Sequence, residues 1–165
     1  MDPNYIKPFI ASIQNVFSTM MQLPVNVQTP TLKGSTAVSY DVSGIIGLSG
    51  DVVGSVVLSF PSETAERIVA LFCGQKLASS TPDFADAVGE LVNMVSGGAK
   101  AQFKGKKVSI SCPSVVVGPA HVVARQSDAP TIVIPCSTDC GTFAIEVTIQ
   151  EAAVPAAQPG AAVRA

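Results

Sequence analysis

The sequence predicts a domain of amphipathic helices and antiparallel strands, built as two copies of a helix-plus-strands unit, and three observations predict it. Apolar residues recur at helical spacing over residues 4–21, 61–73 and 81–104. β-branched, alternating runs fill residues 25–60 and return after Lys107. In each half an amphipathic helix leads into a set of strands, the pattern of an internal duplication. With 165 residues, 47% of them hydrophobic, the chain fits one domain with a sizeable core.

The first helix, residues 4–21, turns Ile6, Phe9, Ile10, Ile13, Val16, Phe17 and Met20 inward, and Pro24 stops it. Three strand runs follow, VNVQTPTL, AVSYDVSGIIGLSG and DVVGSVVLSF, with Gly50-Asp51 as a hairpin signal. Gly44, Gly47 and Gly54 lie inside those strands and mark bulges or close packing. The second helix, PSETAERIVALFC, ends at a C-cap glycine, Gly74. The third, Thr81 to Lys104, starts with an N-cap threonine, Pro82 at the first position, and Asp83 and Asp86 near the positive helix end. Strands are then expected in VSISC, SVVVG, HVVAR, TIVIPC and TFAIEVTI. The domain is expected to span residues 1–149, and residues 150–165 form an Ala/Pro/Gly-rich flexible tail. Matching the halves pairs Ser12-Ile13-Gln14-Asn15 with Glu90-Leu91-Val92-Asn93, so that Ser12 stands where Glu90 stands and one of two potential sites lacks its acid.

Composition excludes several functions. Charged residues make up 13% and the net charge is −2, without the concentrated basic patch that nucleic acid or an anionic membrane requires. Much surface is therefore neutral or covered by a partner. The one basic cluster, Lys100, Lys104, Lys106 and Lys107, suits a helix C-terminus. No apolar run reaches the roughly 18 residues of a membrane span, and MDPNYIKPF lacks a basic region followed by an apolar one, so a cytoplasmic protein is expected. Cys73, Cys112, Cys136 and Cys140 are scattered and His121 is the one histidine, so buried free thiols are expected and no metal site. The glycines do not form a strand-to-helix phosphate loop. A Ser-His-Asp set would need His121, and no serine sits in a nucleophile elbow. Asp86 and Glu90 as a glycosidase pair lack aromatic residues nearby to bind a sugar.

One stretch remains. On the third helix Phe84, Val88, Leu91, Val92, Val95, Ala99 and Phe103 form the apolar side, while Asp83, Asp86, Glu90, Asn93, Gly97, Lys100 and Lys104 line the other. Glu90 and Asn93 stand one turn apart, and two readings fit them. They are a solvated helix face, or a pair that docks on another protein's active site, the carboxamide holding a water for attack on a phosphoryl group and the acid making a salt bridge.

The segment Asp86-Ala-Val-Gly-Glu90-Leu-Val-Asn93-Met-Val-Ser-Gly97-Gly98-Ala-Lys100 resembles the D-x3-E-x2-N-x3-G signature of the CheC/CheX/FliY family of phosphatases that act on the chemotaxis response regulator CheY. NYIKPFIASIQNVFSTM, DVSGIIGLSGDVVGSVVLSF, CPSVVVGPAHVV and TIVIPCSTDCGTFAIEV resemble the CheX branch, in order, up to about residue 149. The resemblance implies an α+β fold, an antiparallel sheet with the long helix packed on one face and the Glu90/Asn93 pair exposed. It implies that Asn93 orients the water attacking the aspartyl-phosphate and that Glu90 pairs with the regulator's lysine. Asp86, Gly97, Gly98 and Lys100 would be partner contacts, the two glycines by allowing close backbone approach or, alternatively, by packing against a neighbouring helix. The partner would be a phosphorylated CheY-like receiver domain, Mg²⁺ would sit on that partner with no cofactor on this chain, and the chain would form a homodimer through sheet edges. A non-catalytic receiver-binding or flagellar-switch module of the same fold is the alternative.

Overall fold

A computed structural model describes residues 2–34, 39–124 and 127–153. Its elements are α1 (Pro3–Met21), β1 (Asn26–Val27), β2 (Thr31–Leu32), β3 (Val42–Gly50), β4 (Val52–Phe60), α2 (Ser62–Cys73), α3 (Pro82–Lys100), β5 (Val108–Ile110), β6 (Ser114–Val117), β7 (Thr131–Thr138) and β8 (Gly141–Glu151). The eight strands form one antiparallel sheet in the order β1-β7-β8-β4-β3-β5, with β2 also on β7 and β6 also on β3. The fold is α+β, with all three helices on one side of the β-structure. No helix among the described residues is long and apolar enough to cross a membrane.

Two hairpins, β3–β4 and β7–β8, meet at the sheet centre, where Val56 pairs with Val147 and Leu58 with Ile145. α1 leads into the first hairpin and α3 precedes the second, as the duplicated sequence pattern predicts. The helix-facing side is apolar: Phe143 stacks between Phe17 of α1 and Phe60 of β4, with ring centroids 5.3 and 5.1 Å away. Gly44 explains how closely α3 can lie, because a Cβ there would come within 3.0 Å of Val92 Cγ1 and 3.3 Å of Val88 Cγ1. Gly54 (φ 152°) sits where a Cβ would collide with the Thr148 carbonyl of the neighbouring strand.

The other side of the sheet is polar at its centre. Glu146 of β8 pairs with Lys33 at 2.6 Å and with Ser39 Oγ at 3.2 Å, all three buried or nearly so. Residues 118–124 cross this side, held by His121. Its Nδ1 lies 2.8 Å from the Gly118 carbonyl, which can only accept, so Nδ1 carries the proton and Nε2 accepts from Ser43 Oγ at 2.7 Å.

Several expectations change. Met20, expected on the inner side, is 45% exposed, and Met21 takes the buried position in the last turn of α1. The strand predicted in HVVAR does not form: His121–Ala124 have no regular structure because the turn at Gly118–Ala120 and the Ser43–His121 bond bind them as a strap, and Arg125 lies outside the described residues. α3 ends at Lys100, four residues before Lys104. The chain turns there towards Gly105 (φ 72°), and Phe103 reaches the core from beyond the helix, edge-on to Tyr5 and Phe9. Ser12 does not occupy the place of Glu90. It is buried, and its hydroxyl donates to the Val95 carbonyl of α3 at 2.7 Å. Tyr5, Pro8, Phe9, Ser12, Ile13 and Val16 are buried in the phase of Phe84, Ala87, Val88, Leu91, Val92 and Val95, which sets Ala11 against Glu90 and Gln14 against Asn93. Finally, β8 continues through Gln150 and Glu151, which the sequence reading gives to the tail, and residues 154–165 of that tail lie outside the described residues. The strand run beginning at Ala37 likewise starts outside them.

Candidate active site

α3 is fixed at its start and along one side. Thr81 Oγ1 accepts from the Phe84 amide at 3.4 Å and donates to the Ala78 carbonyl at 2.7 Å, and Pro82 opens the helix without wasting an amide donor. Phe84, Ala87, Val88, Leu91, Val92, Val95 and Ala99 are buried against the sheet and α1. With the inner face so pinned, the outward stripe cannot rotate.

That stripe holds Asp86, Glu90 and Lys100 exposed, and Asn93 and Gly97 half-exposed. Glu90 and Asn93 are separated by three residues, a rise of about 4.5 Å, so their side chains project side by side. Neither side chain forms a hydrogen bond or an ion pair with any described residue, and the same holds for the side chains of Asp86 and Lys100. A polar helix surface normally spends some groups on local pairs at three- and four-residue spacing. Here acid and amide are left open.

The flanks are set by glycines. A Cβ on Gly89 would approach Pro113 Cγ at 3.3 Å, so the connection between β5 and β6, with exposed Cys112, lies against one side of the stripe. A Cβ on Gly98 would overlap Ser12 Oγ, which marks the seam with α1 on the other. At Gly97 a Cβ would meet nothing within 4 Å among the described residues outside its own stretch of helix. Thus the structure brings Asp86, Glu90, Asn93, Gly97 and Lys100 onto one open stripe, places Gly98 at a helix–helix contact, and removes Lys104 from the helix. Gly44, Gly89 and Pro113, which seat and border the stripe, were not singled out as site residues. The signal for the first was a glycine inside a strand.

A cavity of about 790 Å³ among the described residues lies elsewhere. It opens on the opposite side of the sheet, over Ile45, Val57, Glu146 and Thr148, and includes none of the predicted site residues. The Ser43–His121 pair is also no nucleophile set: Ser43 is fully buried in a flat strand, and His121 is oriented by a backbone carbonyl rather than a carboxylate. Among the described residues no group of three or more His, Cys, Asp or Glu is placed to hold a metal ion. The thiols divide by burial: Cys73 and Cys112 are exposed, while burial pushes Cys136 up to about 12 and raises Cys140. The stripe is thus an open surface, and none of its residues lines the cavity described above.

Comparison with known proteins gives that surface a context. Residues 42–137 match the family model "Chemotaxis phosphatase CheX". The curated CheY-P phosphatase CheX of Thermotoga maritima is 29% identical over 121 residues, 72% of this chain and 78% of that protein. Among solved structures, a CheC-like superfamily protein from Shewanella sp. PV-4 superposes with a TM-score of 0.83 at 36% identity, over 91% of this chain and 99% of the other. The CheX of a CheX–CheY–BeF3–Mg²⁺ complex from Borrelia burgdorferi shares the fold, with a TM-score of 0.74 at 22% identity over 89% of this chain and 98% of that one. The family model spans more than half of the chain and includes the whole of α3 with its Glu90/Asn93 stripe, and this protein belongs to the CheX family of chemotaxis phosphatases.

Proposed function

We propose that this chain hydrolyses the aspartyl-phosphate of a CheY-type response regulator, with Asn93 and Glu90 acting at the phosphoryl group. The observation that carries the residue assignment is the unpaired state of both side chains on the fixed, outward stripe of α3. The Asn93 carboxamide has an acceptor for a water proton and donors for a phosphoryl oxygen, so it can hold water in line with the phosphorus. The water oxygen bonds to phosphorus as the bond from phosphorus to the aspartyl oxygen breaks. The carboxylate departs and the proton of the water passes to phosphate or solvent. Glu90, one turn away, pairs with the regulator's lysine and fixes the register of the two proteins. Asp86 and Lys100 lie at the two ends of the stripe, where exposed charges act more on encounter than on chemistry. Gly98 borders the same face, but its missing side chain is already accounted for by Ser12.

Mg²⁺ belongs to the regulator in this reading, where it offsets the charge developing on the phosphoryl oxygens, and the reaction takes place in the cytoplasm. The chain acts as a homodimer joined at a sheet edge. The outer edge of β6 supports this, with Val116 and Val117 exposed at 37% and 47%.

The test is the loss of phosphate from a phosphorylated CheY-type receiver domain with wild type, Glu90→Ala and Asn93→Ala. Acceleration by wild type and a fall of about 10²-fold for Asn93→Ala are expected. Equal rates for all three would reject the residue assignment. Binding of the phosphorylated receiver with no acceleration by wild type would favour the non-catalytic module.

A further inference from the structure

α3 carries three glycines, the poorest helix formers after proline, and the fold accounts for two of them. Gly89 admits Pro113 and Gly98 admits Ser12. Gly97 has neither excuse: its φ is not in the left-handed region, and among the described residues a Cβ there would meet no atom from outside its own stretch of helix within 4 Å. An alanine would fit and would strengthen the helix. No packing among the described residues accounts for the gap.

Helix geometry says what the gap protects. Side chains on an α-helix tilt towards its N-terminus and lie over the turn before their own Cα. Any side chain at position 97 would lean back over Asn93, one turn earlier on the same stripe. Glycine thus leaves the Asn93 amide uncovered on its C-terminal side and bares the backbone of that turn. We infer that Gly97 is a clearance position, at which main chain of the phosphorylated regulator passes close over the helix to bring the phosphoryl group onto Asn93. This rests on the reading of Asn93 given above and assigns Gly97 a positioning role, distinct from the packing role of its neighbour Gly98.

The experiment compares full-length wild type, Gly97→Ala, Gly97→Gln and Asn93→Ala in three readouts: melting temperature, KM and kcat for dephosphorylation of a phosphorylated CheY-type receiver, and affinity for the same receiver activated with beryllofluoride. Gly97→Ala is expected to melt about 2 °C higher, from the gain in helix propensity. KM and the beryllofluoride Kd should rise several-fold for Gly97→Ala and by tenfold or more, roughly, for Gly97→Gln, with kcat within about twofold. Unchanged KM and Kd in Gly97→Gln, with wild type active and Asn93→Ala inactive, would overturn the inference while leaving the site intact. Lower melting temperatures in both Gly97 variants would overturn it in favour of a structural role. If wild type is inactive the reading of Asn93 fails, and an unchanged beryllofluoride Kd in Gly97→Gln then rejects the clearance role as well.

Discussion

α1 and α3 are built to the same plan and used differently. Each is a 19-residue helix with an N-cap side chain and proline in its first turn, and each buries one face on the same sheet. Their buried residues keep a common phase, so their outward faces can be compared position by position. α3 shows Asp86, Glu90, Asn93 and Gly97 where α1 shows Lys7, Ala11, Gln14 and Ser18. The amide of α1 is engaged: Gln14 Nε2 donates to the Val25 carbonyl at 3.3 Å and ties the helix to the chain that follows it. The amide of α3 has no partner among the described residues. The fold specifies the inner faces and leaves the outer ones free, and an outer polar group that the fold does not use is where function is to be sought.

The comparison breaks most easily at the inner faces, where both helices should behave alike. Phe17→Ala in α1 and Phe84→Ala in α3 remove fully buried rings, and each should lower the unfolding free energy by about 3–5 kcal/mol. Lys7→Ala and Asp86→Ala, at the matching outward positions, should stay within about 0.5 kcal/mol by denaturant titration. A large loss at either outward position would show that the stripe is structural.

At the seam between the helices, Gly98→Ala forces a methyl onto Ser12 Oγ, which is itself held by its bond to the Val95 carbonyl. A loss of about 1–3 kcal/mol is expected. The adjacent Gly97→Ala should be neutral or stabilising, so the two substitutions move the denaturation midpoint in opposite directions. The two caps should again match. Asp2→Ala loses the acceptor for the Asn4 amide (2.8 Å) and Thr81→Ala the acceptor for the Phe84 amide (3.4 Å), each costing about 1 kcal/mol, with the longer bond at Thr81 placing it lower. The smallest effect is chemical. In the native protein near pH 8, Cys73 and Cys112 should react with a thiol reagent while Cys136, with its pKa near 12, and buried Cys140 should not; docking of a phosphorylated receiver should slow Cys112, beside Pro113, more than Cys73.

The helices were legible because the 3.6-residue period is strong in all three, and the central hairpins because β-branched runs flank clear turn residues. The helical period overruns the end of α3 for a physical reason: Phe103 continues the apolar phase of the helix, yet it reaches the core after the chain has already turned. HVVAR alternates like a strand, but its histidine spends its hydrogen bonds on Ser43 and Gly118. The half-to-half match slipped by one residue because Ser12 and Glu90 are both polar, whereas burial groups Ser12 with Leu91. Glu90 and Asn93 stood out as polar residues in the outward phase. Which of the neighbouring glycines belongs to the fold and which to a partner was not legible, since only the atoms opposite each one, Ser12 Oγ or open space, separate them. The chemistry of the pair came from likeness to a family, because an acid and an amide on a helix are compatible with ordinary surface.

The most direct test of the account sets the two matched amides against each other. Phosphate loss from a phosphorylated CheY-type receiver would be followed with Asn93→Ala and with Gln14→Ala, both checked for wild-type affinity towards the beryllofluoride-activated receiver. The account predicts that Asn93→Ala still binds but loses about 10²-fold in rate, while Gln14→Ala keeps the wild-type rate. An Asn93→Ala protein that binds and dephosphorylates like wild type would contradict it.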